Sequence, residues 1–266
     1  MRKITINLAA VAAFCIVVAS PALVSSSCAT PQTEQEDTTI IREDLGITAL
    51  KYSSPEVPSS IEFCGKVIDL SRFDRHERMD RELLAFTYMH STSLQMLKKA
   101  NRYFPIVEPI LKENGIPDDF KYLMVIESNM NPTARSSAGA AGLWQFMQGT
   151  GRDYGLEVNN NVDERYHIEK ATRAACRYLK DAYAKYKDWV AVAASYNAGQ
   201  ARIASQLAKQ DVDDSLDLQL VEETARYVYR ILAAKQLFSA PTTFGFRLRA
   251  SDLYPPIPYT EVTVTK

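Results

Sequence analysis

The segment PDDFKYLMVIES carries Phe120, Leu123, Met124 and Glu127 at i, i+3, i+4 and i+7, so a carboxylate shares the face of a helix that should be buried. Pro132 disfavours helical geometry at Asn131, so the helix should stop by about Met130 and leave Glu127 in its last turn. Burial and the negative end of the helix dipole both disfavour ionisation there. The expected result is a raised pKa and a proton held near neutral pH, which is what a general acid requires. The alternative is a structural glutamate paired with an arginine. A loop of small residues follows, and the whole stretch reads ESNMNPTARSSAGAAGLWQFMQGT from Glu127 to Thr150.

Other chemistries find little support. A net charge of −1, with no run of Lys or Arg, gives nothing to attract nucleic acid. The histidines, His76, His90 and His167, match no zinc spacing, and no glycine-rich phosphate loop follows a strand-like segment, so no metal and no cofactor are implied. Cys64 and Cys176 read as separate buried thiols, although a bridge stays open in an oxidising compartment.

The elements that must position Glu127 read as mainly α. An extended EFCGKVIDL segment precedes an amphipathic helix or helix pair from Arg78 to Tyr103, with Met79, Leu83, Phe86, Leu94 and Leu97 as its apolar positions. Gly115 suits a helix C-terminus, Pro117 should open the next helix, and Asp118 and Asp119 favour its positive end. Downstream, helical spacing runs from Glu164 to Tyr186, through DWVAVAASYNAG to Gly199, and from about Leu216 to Leu237. No convincing strand lies between Asp118 and Ala240, and the final residues read as an irregular tail ending in a strand.

The chain starts with a basic residue pair and an apolar run too short for a typical membrane span, followed by small residues, which is the pattern of an export signal. Two endings stay open: cleavage after Ala22, or lipidation at Cys28 in SSSCAT, which would give an outer-membrane tether. The expected organisation is therefore a signal over 1–28, a Thr/Ser/Glu/Pro-rich linker over 29–61, an N-terminal extension over 62–115, a catalytic domain over 116–240 and a tail over 241–266.

Glu127-Ser128, Asn131-Pro132, Ala134, Ser136, Gly139-Ala140, Gly142-Leu143 and Gln145, followed by SYNAG at 195–199 and ETARYV at 223–228, together resemble the signature of the lysozyme-like lytic transglycosylases of bacterial cell walls. The resemblance covers roughly Val57 to Phe246. It implies a lysozyme-like (goose-type, or SLT) helical catalytic lobe with an N-terminal helical extension. It also implies peptidoglycan glycan strands as the partner, location in the periplasm of a Gram-negative bacterium, and cleavage of the MurNAc-β-1,4-GlcNAc bond with formation of a 1,6-anhydroMurNAc end.

Glu127 would be the single acid and base, and Tyr227 would orient it. Ser136, Gly142, Gln145, Met147, Tyr196 and Asn197 would contact the glycan, with Gly139 and Gly142 allowing close backbone approach. Met130, Gln148 and Ser195 depart from the family pattern, and the Ser195 hydroxyl is the departure expected to alter a sugar contact. Two further readings stand beside this one. A hydrolytic muramidase would need a second carboxylate, from Asp163, Glu164 or Glu223, to activate water. A non-catalytic peptidoglycan-binding protein would merely keep the groove.

Overall fold

The computed structural model describes residues 54–258 except Asp213, so the expected signal, the Cys28 tether and the terminal strand lie outside the described residues. Two short strands come first, β1 (Ser60–Phe63) and β2 (Lys66–Asp69), paired antiparallel. Cys64 and Gly65 both have left-handed φ, at 53° and 84°, the geometry of a tight two-residue hairpin turn. Ile61 is buried and Val57 packs against the core, so ordered structure begins inside the stretch read as linker. Its polar composition hides the few apolar residues that matter.

The rest is helical: α1 (Phe73–Tyr88), α2 (His90–Glu113), α3 (Phe120–Ser128), α4 (Gln148–Asp153), α5 (Ile168–Tyr186), α6 (Trp189–Ala198), α7 (Gln200–Lys209) and α8 (Glu222–Ser239). The helix pair expected before Tyr103 is present, but α2 continues ten residues further, through Pro105 and Pro109. Leu94, assigned to the apolar stripe, is 38 % exposed. No helix among the described residues is long and apolar enough to cross a membrane.

The central element is α3. Tyr122, Leu123, Met124, Val125 and Ile126 are all buried, so the helix is enclosed on every side and not only along the predicted stripe. Its start is pinned by Asp119, which caps no backbone amide of α3. Its carboxylate instead accepts from the Cys64 amide at 2.7 Å and pairs with Lys235 of α8 at 2.8 Å. Phe63 of the hairpin packs on Phe120, and Phe120 meets Trp189 edge-on at 5.2 Å. The end comes at Ser128, two residues before the expected limit, because Asn129 takes a left-handed φ of 48°. Met130 follows at 56°, an uncommon conformation for a large side chain, and is fully buried.

Two other helices differ from expectation. α8 starts at Glu222 and not near Leu216, because Asp214 caps a separate 3-10 turn over Ser215–Asp217. Asp214 and Asp217 also bind Arg75, which holds that turn against the start of α1. α7 was not expected; it buries only Ile203 fully.

The loop between α3 and α4 has almost no regular structure, yet it is closely held. Arg165, 2 % exposed, donates to the carbonyls of Gly139 at 2.8 Å and Phe146 at 2.9 Å while its other nitrogens grip Asp163. The Trp144 indole, fully buried, donates to Thr172 Oγ1 of α5 at 2.9 Å. Gly142 has φ +77°, and a Cβ built there would lie 1.9 Å from the Arg165 carbonyl oxygen. Gly139, at φ +89°, has nothing within 4 Å of the same position. Gly142→Ala should therefore destabilise by about 3 kcal/mol or more, through clash plus backbone strain, and Gly139→Ala by only about 1 kcal/mol, through strain alone. Urea denaturation of the two variants side by side checks this, and equal losses would contradict the packing described.

Candidate active site

Glu127 lies in the last turn of α3, where the C-terminus of α6, the first two turns of α8 and the Asn129–Met147 loop converge. Tyr227, buried on α8, donates its hydroxyl proton to Glu127 Oε1 across a sequence separation of 100 residues. Burial pushes the Glu127 carboxyl from its ordinary value of 4.5 up to about 7. The Tyr227 hydrogen bond and the positive charge of Arg230 restrain that rise, and the negative charge of Glu223 adds to it. The arginine-paired alternative does not describe this group. Arg230 points its guanidinium at the Ile126 carbonyl at 3.5 Å, and Glu127 joins no ion pair among the described residues.

Tyr196 comes from the last turns of α6 and donates to the Trp144 carbonyl at 2.8 Å, which ties that helix to the loop. Its ring meets Tyr178 edge-on at 5.1 Å. The hydroxyls of Tyr196 and Tyr227 are both pushed well above the ordinary phenol range, first by burial and then by the charge of Glu127. Both therefore keep their protons and act as donors. Asn197 accepts from Thr224 Oγ1 at 2.8 Å and donates to Glu223 at 3.5 Å, joining the end of α6 to the start of α8.

The remaining predicted residues divide. Gln145 and Met147 line a cavity of about 310 Å³ together with Thr150, Tyr196 and Asn197. Gln145 adopts φ +48° and donates to the carbonyls of Ala134 and Gly142, so its amide nitrogen serves the loop while its carbonyl oxygen accepts no hydrogen bond among the described residues. Met147 is 45 % exposed beside it. The Ser136 hydroxyl oxygen accepts from the Ala140 amide at 3.0 Å, which closes a loop turn and leaves its proton available to donate. Gly142 is buried, and the close approach it permits is to the backbone of Arg165, not to an open groove. Ser195 is also fully buried, with its hydroxyl on the Val192 carbonyl, so it cannot reach a sugar as expected. A larger hollow of about 770 Å³, between Pro105 and Asp118, contains none of the predicted site residues.

Of the carboxylates weighed as a second catalytic group, Asp163 is held by Arg165 and Glu164 by Lys170 and the Glu157 amide. Glu223 alone acts on Glu127 through its charge. Cys64 and Cys176 are free, and burial pushes both thiols up, Cys176 to about 11, so neither is an activated nucleophile. Among the described residues no group of His, Cys, Asp and Glu side chains could hold a metal ion. Sequence reasoning missed Arg165 and Arg230. Each is one arginine among many, with no local pattern to mark it.

Residues 105–217 match the family described as the transglycosylase SLT domain. The match begins inside α2 and ends before α8, which supplies Tyr227. The chain is 30 % identical over 181 residues to membrane-bound lytic murein transglycosylase D of Escherichia coli, covering 66 % of this chain and 39 % of that protein. It is 30 % identical over 138 residues to the peptidoglycan transglycosylase gp16 of phage T7, covering 50 % of this chain and 10 % of the other. The chain thus spans well under half the length of these relatives. The 70 kDa soluble lytic transglycosylase of Escherichia coli is a structural neighbour with TM-score 0.47 and 21 % identity, covering 60 % of this chain and 28 % of the other. The helices of the described residues agree with the mainly α class expected from the sequence, and the match falls on the SLT domain that the motifs resemble.

The raised carboxyl has a consequence for stability. Below about 4.5 both folded and unfolded chains carry the Glu127 proton, whereas between that value and about 7 only the folded chain holds it. The stability contributed by the neutral carboxyl is therefore lost as pH rises through about 7. Glu127→Gln cannot ionise, so its stability relative to the parent protein should improve by about 1–3 kcal/mol between about pH 5 and about pH 8. Urea denaturation at the two pH values measures the change, and a pH-independent difference would show that the carboxyl titrates normally.

Proposed function

We propose that this chain is a peptidoglycan lytic transglycosylase that cleaves the β-1,4 bond between N-acetylmuramic acid and N-acetylglucosamine and leaves a 1,6-anhydro end. The observation that carries the reading is Glu127: a half-buried carboxyl raised to about 7, held by Tyr227, in the segment that matches the SLT domain. The relatives named as murein and peptidoglycan transglycosylases support the substrate class.

Glu127 gives its proton to the glycosidic oxygen as the bond to the anomeric carbon breaks. The resulting carboxylate then takes the proton of the muramic acid 6-hydroxyl, whose oxygen closes on that carbon, so the enzyme ends as it began. No water enters. Glycosidases that use water as the final nucleophile generally need two carboxylates, and here the sugar supplies the attacking oxygen. A carboxyl that titrates near 7 suits both halves of the cycle, since neither protonation state is far from the other. Proton transfer of this kind supplies roughly 10²- to 10⁴-fold, which leaves the larger share to groove contacts.

In this reading Tyr227 orients Glu127 and Tyr196 presents its ring beside the sugar. Gln145 contributes its free carbonyl oxygen, Asn197 its amide, and Met147 an apolar wall. The support for Ser136 and Gly142 is weaker, because their groups serve the loop itself. An envelope location fits the leader-like residues 1–28 and the membrane-bound relative, through either cleavage after Ala22 or lipidation at Cys28.

Purified peptidoglycan digested with the protein should release muropeptides ending in 1,6-anhydroMurNAc, identified by mass spectrometry. Glu127→Gln should lower the rate by about 10³-fold or more. Reducing-end products alone would instead favour a hydrolase using Glu223, and an active Glu127→Gln protein would remove Glu127 from the chemistry. For the parent protein kcat/KM should fall as pH rises through about 7, because the free enzyme must carry the Glu127 proton.

A further inference from the structure

Glu82 lies on α1, outside the SLT match, and is 2 % exposed. Both of its oxygens are used: Arg226 of α8 donates from Nε at 2.6 Å and from Nη2 at 3.1 Å, a two-point fork that fixes orientation as well as distance. Arg226 directly precedes Tyr227, so the fork holds the helical turn that carries the hydroxyl bound to Glu127. On the same stretch Arg81 pairs with Glu222 at 2.5 Å, but on an exposed surface where such a pair constrains little. A buried carboxylate is costly to enclose, and Glu82 has no partner other than Arg226 in the ion pairs of the described residues.

We propose that Glu82 is a positioning residue for the Tyr227–Glu127 pair, so that α1 belongs to the catalytic apparatus although it touches no reacting atom. The proposal rests on the functional reading above for its effect on rate, though not for its effect on Glu127. If the fork is lost, the first turns of α8 are free to shift, and the Tyr227 hydroxyl loses its fixed aim. That hydrogen bond favours the ionised carboxylate, so weakening it moves the Glu127 titration further upward. The other charged and titratable groups facing Glu127 are Glu223 and Arg230 of α8 and Tyr196 of α6.

The test compares Glu82→Gln, Tyr227→Phe and the double variant in the full chain. The Glu127 titration is followed by carbon NMR of carboxyl-labelled protein, and kcat/KM is followed on purified peptidoglycan across pH. Glu82→Gln should shift the Glu127 titration and the alkaline limb of the rate profile to higher pH, the direction expected of Tyr227→Phe. It should also lower kcat/KM by roughly 10- to 100-fold, since a misplacement of about 1 Å can cost about 10²-fold. In the Tyr227→Phe background Glu82→Gln should add little, because the group it aims is gone. A folded Glu82→Gln protein with an unmoved titration, or losses that simply multiply, would overturn the proposal. If Glu82→Gln does not fold, Arg226→Lys keeps the charge and removes the fork, and it must give the same shift. A parent protein that releases no anhydro product would sink the functional reading, while the NMR arm would still decide the role of Glu82.

Discussion

The hydrogen bond from Tyr227 to Glu127 joins the end of α3 to the second turn of α8, and most of the surrounding structure bears on where those two groups meet. Burial alone would push the carboxyl up without fixing its direction. The tyrosine supplies direction and restrains the rise, and it can do so only as a neutral donor. Its own enclosure guarantees that state, because ionising a buried phenol beside a carboxylate is doubly disfavoured. The pair is thus mutually dependent: each group's surroundings keep the other in the protonation state that the contact needs.

Holding that contact requires both helices to be anchored at their starts. For α3 the anchor is Asp119, shared between the hairpin amide at Cys64 and Lys235 near the end of α8. The same lysine also binds Glu62 of β1, so the small hairpin is a clasp between α3 and α8. For α8 the start is held from α6 through Asn197 and Thr224, and from α1 through Glu82 and Arg226. The loop on the remaining side is fixed by Arg165, which does with one guanidinium what a strand pairing would do elsewhere. It satisfies two loop carbonyls and a carboxylate in a place where water is excluded.

Much of this was legible in the sequence where a pattern is local. The position of Glu127 in a last helical turn, the αL cap at Gly115 and the ends of α5 and α6 each depend on a few adjacent residues with strong preferences. The start of α8 was misplaced because Leu216 continues the apolar period, while the break is imposed by Asp214 and Asp217 bonding to α1. The local bonds of Gly142, Ser136 and Ser195 were not legible for a related reason. A small or polar residue in a motif signals a constraint, but the sequence does not say whether a ligand or the protein's own backbone imposes it. Here Gly142 makes room for Arg165, a residue 23 positions away with no motif to mark it.

That distinction sharpens how the site is divided. Some motif groups serve the loop itself, as with the Gln145 amide nitrogen, which donates to two carbonyls, and the Ser136 hydroxyl oxygen, which accepts from Ala140. Of the predicted residues, Gln145, Met147, Tyr196 and Asn197 line the cavity. Under the proposed chemistry such economy is consistent, because the reacting sugar brings its own nucleophile and the protein need not activate water. What the fold must supply is a single proton of intermediate acidity and a wall that keeps its shape while the sugar distorts. A loop built from fixed carbonyls around a buried arginine provides that wall at small cost in mobile side chains, since rigid backbone already in place does not have to be ordered when a glycan arrives.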